Sequence, residues 1–226
     1  MRSEKQTASI LAAAPLQAEY WESIYSEPQT MDGIGNASLH ADYIHALFAL
    51  DAVEIKSVLD VGYGLGHLFN AVLKRFKPNR AVGIEPSVYA FDKAASVIRA
   101  PHTTRLKLFS MNVQTWCEKP RKPARFDLTL CTSVLQYLDD VTVTEVLQVL
   151  AERTRFLYLT VPTDIEAQRM LADYGFDDDY ARHRTRDEYR HLIDPHFTVI
   201  GSRLLESKVH YDETTTPFSE LFYRSD

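Results

Sequence analysis

Seven residues, DVGYGLG at positions 60–66, combine an acidic side chain with three glycines at alternate positions. Asp60 stands two places before Gly62, and Gly64 and Gly66 follow. Because glycine has no Cβ, such a loop lets the backbone approach a bound small molecule closely. The apolar residues before it are typical of a buried strand, so we expect the loop at the carboxyl end of that strand.

Three kinds of ligand compete for this loop. The dinucleotide fingerprint has the order G-x-G-x-x-G, but His67 occupies the place of its third glycine. A phosphate loop has Lys and then Ser or Thr after its final glycine, whereas His67 and Leu68 follow Gly66. The remaining order, acidic-x-Gly-x-Gly-x-Gly, resembles the glycine loop of class I S-adenosylmethionine-dependent methyltransferases.

Two further segments resemble the same family. RAVGIEPS at 80–87 is strand-like and contains the acidic Glu85, which is expected at the end of the second strand. FDLTLCTSVLQYL at 126–138 is similar to the family's fourth-strand motif, including its Phe-Asp entry. The resemblance covers about residues 40 to 205 and implies S-adenosyl-L-methionine as the cofactor.

The resemblance implies roles for individual residues. Asp60 would partner the ammonium of the cofactor, Glu85 would accept hydrogen bonds from both ribose hydroxyls, and Asn112 would meet the adenine where relatives usually have Asp. Alternatives remain open: a solvated turn for Asp60, a helix-dipole partner for Glu85, a turn for Asn112 and plain packing for Tyr63. The full set expected to bind the cofactor is Asp60, Gly62, Tyr63, Gly64, Gly66, Glu85, Pro86, Asn112, Val113, Thr132 and Ser133.

The methyl acceptor is expected near residues that follow the fourth strand. Tyr137 is the candidate catalytic residue and Gln136 a candidate acceptor contact, at a place where relatives often have a histidine. Alignment and exclusion of water are the main requirements for methyl transfer, and a general base is optional.

Two other segments supply candidate acceptor contacts. The segment 19–28 holds Tyr20, Trp21 and Tyr25, and we expect it to fold over the site as a lid or else to pack as an amphipathic helix. The run YARHRTRDEY contributes His183 and Arg186, with a solvated charged face as the alternative. The three acidic residues at 177–179 point in different directions when adjacent, so a solvated loop and no metal site are expected.

Strand-like and helix-like segments alternate through the chain. They predict an α/β fold with a doubly wound, mostly parallel seven-stranded sheet, helices on both faces, and the last two strands as a hairpin at one edge. Those two strands are assigned to 197–205 and 218–225. We expect residues 1–38 to form the lid and substrate segment and residues 39–226 the cofactor-binding domain.

Local patterns also predict details of two helices. Leu39, Tyr43, Leu47 and Leu50 are spaced to form a buried helical stripe. Thr142 and Glu145 have the spacing of a capping box at the start of a later helix.

Composition limits the function. The chain has 226 residues and a formal net charge of −6, which argues against nucleic acid as a partner. Two cysteines without metal-ligand spacing indicate thiols in a reducing compartment. The apolar stretch at 8–16 is too short for a typical secretion signal, and no run approaches the ~18 apolar residues of a membrane span. A cytoplasmic protein is expected.

These observations favour methyl transfer to an oxygen or nitrogen of a small molecule. The acidic charge and the absence of the Pro-Pro-Tyr type of tetrad after the fourth strand, which base-methylating relatives show, support this expectation. A protein methyltransferase and a non-catalytic cofactor-binding subunit of the same fold are the alternatives. The oligomeric state is not predicted.

Overall fold

The computed structural model describes residue 20, residues 31–118 and residues 125–225. Its strands are β1 Ser57–Val61, β2 Arg80–Glu85, β3 Arg105–Ser110, β4 Phe126–Thr132, β5 Thr154–Thr160, β6 Phe197–Gly201 and β7 Leu204–Ser207. They form one sheet in the order β3-β2-β1-β4-β5-β7-β6. The first five strands pair in parallel, and β7 runs antiparallel to both β5 and β6. The predicted sheet with its terminal hairpin at one edge is confirmed.

Helices connect the parallel strands. They are α1 Ala37–Leu50, α2 His67–Phe76, α3 Val88–Ala94, α4 Val113–Glu118, α5 Asp140–Arg153, α6 Asp164–Tyr174 and α7 Arg186–Ile193, with short 3₁₀ helices at Leu135–Tyr137 and Leu221–Tyr223. Ser87 caps α3, since its hydroxyl accepts from the Ala90 N–H at 3.2 Å. None of the helices in the described ranges combines the length and apolar character that a membrane crossing requires.

The sheet is covered on both faces. Successive residues of β5 face opposite sides: Phe156 and Tyr158 join the cluster that holds α1 and α2, whereas Leu157 and Leu159 join the cluster that holds α5 and α7. This alternation follows from the period of two along a strand. Two separate apolar layers therefore hold the sheet in place. The carboxyl ends of the five parallel strands lie at one edge of the sheet.

The strand order places a crevice between β1 and β4. The chain winds from β1 outward to β2 and β3, then crosses back to β4 and β5 on the other side of β1. In open α/β sheets ligands bind outside the carboxyl ends of the strands at the point where the winding reverses. The glycine loop follows β1 and Leu135–Tyr137 follows β4, so both border this crevice.

The predicted buried stripe of α1 is wrong. Leu39 and Leu50 are 68% and 83% exposed, and the buried side chains instead include His40, Ile44 and Phe48. The buried face of α1 includes His40. Its ring nitrogens contact the Tyr158 hydroxyl at 2.6 Å and Asp32 at 2.9 Å. An apolar pattern could not reveal a face that uses a hydrogen-bonded histidine.

Two other local predictions are also corrected. Helix α5 begins at Asp140, because the Asp139 carboxylate accepts from the Thr142 N–H at 2.8 Å and caps it. The last two strands both lie within residues 197–207, joined by a turn at Arg203 with a positive φ of 65°. The segment 218–225 contributes only a single bridge from Ser225 to Val199 and a 3₁₀ helix.

Candidate functional site

The glycine loop between β1 and α2 has a left-handed backbone. Gly62, Gly64 and Gly66 have φ angles of 71°, 53° and 79°, a region that L side chains rarely adopt. An added Cβ would lie 2.6 Å from Val134 Cγ2 at Gly62 and 2.6 Å from Ile98 Cγ1 at Gly66. Backbone conformation and packing therefore both require glycine at the first and third positions.

Tyr63 packs in the core. Its ring is stacked on Phe69 with centroids 6.1 Å apart, and a Cβ at Gly83 would lie 2.7 Å from Tyr63 Cδ1. Burial raises the pKa of the Tyr63 hydroxyl. The side chain thus fills the space above a strand glycine, and this is the packing role that the sequence left open.

Glu85 ends β2 and ties that strand to the glycine loop. Its Oε2 accepts from the Gly64 N–H at 2.9 Å and its Oε1 from the Ser87 N–H at 2.8 Å. Burial raises the pKa of the Glu85 carboxyl to about 7, although these two N–H donors oppose the shift. A carboxylate has about four acceptor positions, so each oxygen can still accept one hydrogen bond.

Asp60 lies inside the sheet and lacks a partner for one oxygen. It is 2% exposed, its strand neighbours are Gly83 of β2 and Leu130 of β4, and its Oδ1 has no hydrogen-bond partner among the described residues. Burial, and to a smaller extent the charge of Glu85, raise the pKa of Asp60 well above its ordinary range. A buried carboxylate of this kind is costly alone and is stabilised by a bound cation.

The other residues expected to bind the cofactor lie at the ends of β2, β3 and β4. The Asn112 Oδ1 accepts from the Thr115 N–H at 2.8 Å, so this side chain serves the start of α4. Val113 is in the apolar core, and Pro86 is exposed after β2. Thr132 is the last residue of β4, and Ser133 has a positive φ of 55°.

Three side chains meet beside the end of β4. The Tyr137 hydroxyl donates to Asp178 Oδ2 at 2.8 Å and the Tyr20 hydroxyl to Asp178 Oδ1 at 2.9 Å. The two hydroxyl oxygens are 3.4 Å apart. Gln136 is 4% exposed, and its Oε1 has no partner among the described residues. Tyr20 and Tyr137 therefore cluster with Asp178, an aspartate that the sequence assigned to solvent, and Gln136 precedes Tyr137 in the same turn.

Arg184 lies in the charged run YARHRTRDEY but is buried, and the sequence did not single it out. It is 6% exposed and donates to the carbonyls of Leu135 at 3.1 Å and Leu138 at 2.6 Å. It also forms an ion pair with Asp140 at 2.7 Å. The nearest sequence signal was the capping box of Thr185 and Glu188 that follows it, which marks a helix start but not a buried cation.

The remaining candidates lie elsewhere. His183 is exposed, and Arg186 is an exposed side chain near Asp187 at 3.5 Å. Trp21 and Tyr25 are outside the described residues. No group of His, Cys, Asp or Glu in the described part of the chain could hold a metal ion.

The donor set fits S-adenosylmethionine. The cofactor carries an ammonium and two ribose hydroxyls, and this edge of the sheet offers two buried carboxylates with acceptor positions left. Asp60 has an unpartnered oxygen, and Glu85 already approaches the backbone of the glycine loop. Neither the first nor the second residue after Gly66 is the Lys or Ser/Thr of a phosphate loop.

Comparisons with known proteins agree with this geometry. Residues 58–155 match a family described as a methyltransferase domain. The comparison with curated proteins gives no match. The family match over residues 58–155 and the shared fold both support the resemblance that the sequence suggested.

Solved structures share the fold at low identity. The plantazolicin methyltransferase BpumL, in complex with SAH, has a TM-score of 0.62 and 15% identity over 83% of this chain and 76% of that one. The magnesium protoporphyrin IX methyltransferase ChlM from Synechocystis PCC 6803, with bound SAH, has a TM-score of 0.58 and 17% identity over 88% and 98%. An S-adenosylmethionine-dependent methyltransferase from Clostridium acetobutylicum ATCC 824 has a TM-score of 0.56 and 10% identity over 78% and 84%.

Proposed function

We propose that this chain, which carries a class I S-adenosylmethionine-dependent methyltransferase domain, transfers a methyl group to an oxygen or nitrogen of a small molecule. The observation that carries the cofactor part is the pair of buried carboxylates, Asp60 and Glu85, beside a glycine loop with three positive φ angles. The acceptor part rests on the polar cluster at Tyr137, which borders the same crevice.

Each cofactor-binding residue has a role that its surroundings support. Asp60 binds the ammonium group, because its unpartnered buried oxygen is stabilised by a cation. Glu85 accepts from the ribose hydroxyls with the acceptor positions that Gly64 and Ser87 leave open. Asn112 keeps a weaker role at the adenine, since its oxygen already accepts from Thr115.

The bound cofactor supplies a methyl group on a sulfonium, which is an excellent leaving group. The chain therefore contributes mainly alignment and exclusion of water, effects that reach roughly 7–11 kcal/mol in favourable cases. Tyr137 and Gln136 orient the acceptor beside β4, and Tyr20 covers it. Contact between Tyr20 and Asp178 supports this covering role.

A small-molecule acceptor is favoured over the alternatives. The solved structures above are named for acceptors of different chemistry, plantazolicin and a magnesium porphyrin, so the shared fold alone does not specify the acceptor. Net charge −6 opposes binding of polyanions. A non-catalytic subunit would have no need of a buried amide and a tyrosine–carboxylate cluster beside β4, and this observation favours an enzyme.

Ligand binding followed by turnover tests the proposal. Calorimetry of the purified chain should detect S-adenosylmethionine and its product S-adenosylhomocysteine but not NAD. Incubation with S-adenosylmethionine and a small-molecule panel should then add a single methyl group to one acceptor, detected by mass spectrometry. Tight NAD binding with no response to S-adenosylhomocysteine would overturn the cofactor assignment. Methylation of peptides only would overturn the small-molecule assignment.

A further inference from the structure

Asp178 is the one member of its acidic run that turns towards the protein. Asp177 and Asp179 are exposed, whereas Asp178 is partly buried and accepts from the hydroxyls of Tyr20 and Tyr137. Tyr20 comes from the N-terminal segment, Tyr137 from the turn after β4, and Asp178 from the α6–α7 loop. Residues from three separate parts of the chain thus converge on one carboxylate.

The loop that carries Asp178 is fastened to the turn after β4. The Arg182 N–H donates to the Gln136 carbonyl at 2.8 Å. The buried guanidinium of Arg184 donates to the carbonyls of Leu135 and Leu138 in the same turn. These contacts hold the loop against Tyr137, so the position of Asp178 is set by the fold and does not depend on a bound ligand.

The cluster offers hydrogen-bond acceptors and a negative charge. Burial raises the pKa of both the Tyr20 and the Tyr137 hydroxyls, so each phenol keeps its proton and donates it to the carboxylate. A hydroxyl that donates can still accept through its oxygen. Among the described residues, no Lys, Arg or His forms an ion pair with Asp178. The Asp178 Oδ1 also accepts from the Tyr180 N–H at 3.1 Å, so the remaining acceptor position is on Oδ2. The negative charge of this carboxylate is therefore available to a ligand.

We propose that Asp178, with Tyr137 and Tyr20, binds the methyl acceptor and selects an amine nitrogen over a hydroxyl oxygen. This inference rests on the proposed function and narrows its acceptor class. The carboxylate and the phenol oxygens accept hydrogen bonds from N–H groups, and the negative charge attracts a nitrogen that carries positive charge.

The Asp178 carboxylate also has a role in methyl transfer, because positive charge moves onto the acceptor nitrogen during the reaction. A bound ammonium first loses one proton to solvent. The lone pair of the resulting neutral amine then forms the bond to the methyl carbon, the carbon–sulfur bond breaks with its electron pair kept by sulfur, and the positive charge passes from sulfur to nitrogen. A fixed carboxylate beside that nitrogen stabilises the charge as it develops. The extra proton of the methylated ammonium then leaves to solvent.

Methylation of a hydroxyl acceptor would require a different chemical function from the same residues. An alcohol must lose its proton to become a strong nucleophile, which requires a base near the acceptor. An alcohol is a far weaker acid than an ammonium, so solvent can take the proton of an amine but not that of an alcohol, and the two phenols of the cluster are held in their protonated form. The cluster therefore suits an acceptor that reacts as a neutral amine.

Matched pairs of probes test the inference. The full chain, saturated with S-adenosylhomocysteine, is titrated calorimetrically with ethylamine against ethanol and with benzylamine against benzyl alcohol. We expect at least one amine to bind at least tenfold more tightly than its alcohol. With S-adenosylmethionine, mass spectrometry should place the transferred methyl group on nitrogen.

Variants separate this site from the cofactor site. Asp178→Asn should lower amine affinity at least tenfold, and Tyr137→Phe should lower it by a smaller factor, whereas the exposed neighbour variant Asp179→Asn should leave it unchanged. All three should keep the wild-type affinity for S-adenosylhomocysteine, which also reports that they fold. The inference is overturned if neither amine binds, if each pair binds equally, or if Asp178→Asn leaves amine affinity unchanged while S-adenosylhomocysteine still binds. Failure of S-adenosylhomocysteine to bind the wild type would instead overturn the proposed function.

Discussion

Asp60 and Glu85 are buried carboxylates on neighbouring parallel strands, and the charge of Glu85 adds to burial in raising the pKa of Asp60. Both groups are nearly inaccessible, at 2% and 3% exposure. Only Glu85 has backbone N–H donors on both of its oxygens. The ligand-free protein therefore holds a destabilising pair of carboxyl groups. Under the proposed function, a cationic ligand with hydroxyl groups stabilises this pair, so stability is given up for binding.

Replacing Asp60 with Asn should separate the effect of this carboxyl group on stability from its effect on cofactor binding. The change removes a buried charge without changing size, so the ligand-free protein should gain on the order of 1 kcal/mol of unfolding free energy at pH 8. The affinity for S-adenosylhomocysteine should fall about tenfold or more, because the ammonium loses its partner. Thermal unfolding and calorimetry measure the two quantities. A variant that loses both stability and affinity would assign Asp60 to the fold alone.

Replacing Glu85 with Gln tests ribose recognition. Hydrogen bonds to a charged acceptor contribute ~1.5–3 kcal/mol each before desolvation is counted. We therefore expect affinity for S-adenosylhomocysteine to fall roughly ten- to a hundred-fold by calorimetry, and at least as far in Glu85→Ala. If both variants bind like the wild type, Glu85 serves only to link β2 with the glycine loop.

The raised pKa of Glu85 also predicts opposite pH trends for stability and for binding. Its carboxyl titrates near 7 in the folded chain against an ordinary 4.5, so between these values the folded state binds more protons than the unfolded state. The contribution of Glu85 to stability is full below 4.5 and is lost as pH rises through 7, on the order of 3 kcal/mol in total. Cofactor affinity should rise over the same window, since ribose hydroxyls donate to the charged form.

Denaturant unfolding and calorimetry at pH 5, 6, 7 and 8 would check both trends. Glu85→Gln serves as the control, because it has no proton to lose and should flatten the part of each curve that Glu85 contributes. Parallel slopes in the wild type and in Glu85→Gln would show that other groups, Asp60 among them, govern the pH dependence.

The features that could be predicted from the sequence are those that depend on residues close together in the chain. The glycine spacing, the acidic residue at the end of β2 and the alternation of strands with helices all depend on neighbours in the chain, and they predicted the sheet and its loop. Asp178 and Arg184 depend on contacts across the fold: one meets tyrosines 158 and 41 positions away, and the other donates to carbonyls 49 and 46 positions away. No periodicity distinguishes them from exposed charges, so the sequence assigned both to solvent.

Gly66→Ala tests whether the glycine loop is shaped by packing as well as by φ. Both Gly66 and Gly175 have positive φ, at 79° and 65°, but an added Cβ meets Ile98 at 2.6 Å in the first and nothing within 4 Å in the second. Gly175→Ala should cost only backbone strain, about 1–2 kcal/mol. Gly66→Ala should cost a further ~1–3 kcal/mol from overpacking and should weaken S-adenosylhomocysteine binding. Denaturant unfolding gives the comparison, and equal losses would show that φ alone selects glycine there.

Arg184→Lys tests whether one buried guanidinium holds the acceptor side of the site together. Arg184 donates to two carbonyls of the turn after β4 and pairs with Asp140, a geometry that a single ammonium cannot reproduce. The Leu138 carbonyl would lose its side-chain donor and the Leu135 carbonyl would keep only the Leu138 N–H, so we expect a loss of about 2–4 kcal/mol in unfolding free energy. Arg186→Lys is the matched control, since that side chain is exposed and should shift stability by less than ~0.5 kcal/mol.

Because Arg184 fastens the loop of Asp178 and not the glycine loop, acceptor binding should fall in Arg184→Lys while S-adenosylhomocysteine affinity stays near the wild-type value. Equal stability of the two variants, or a loss confined to S-adenosylhomocysteine binding, would contradict this role.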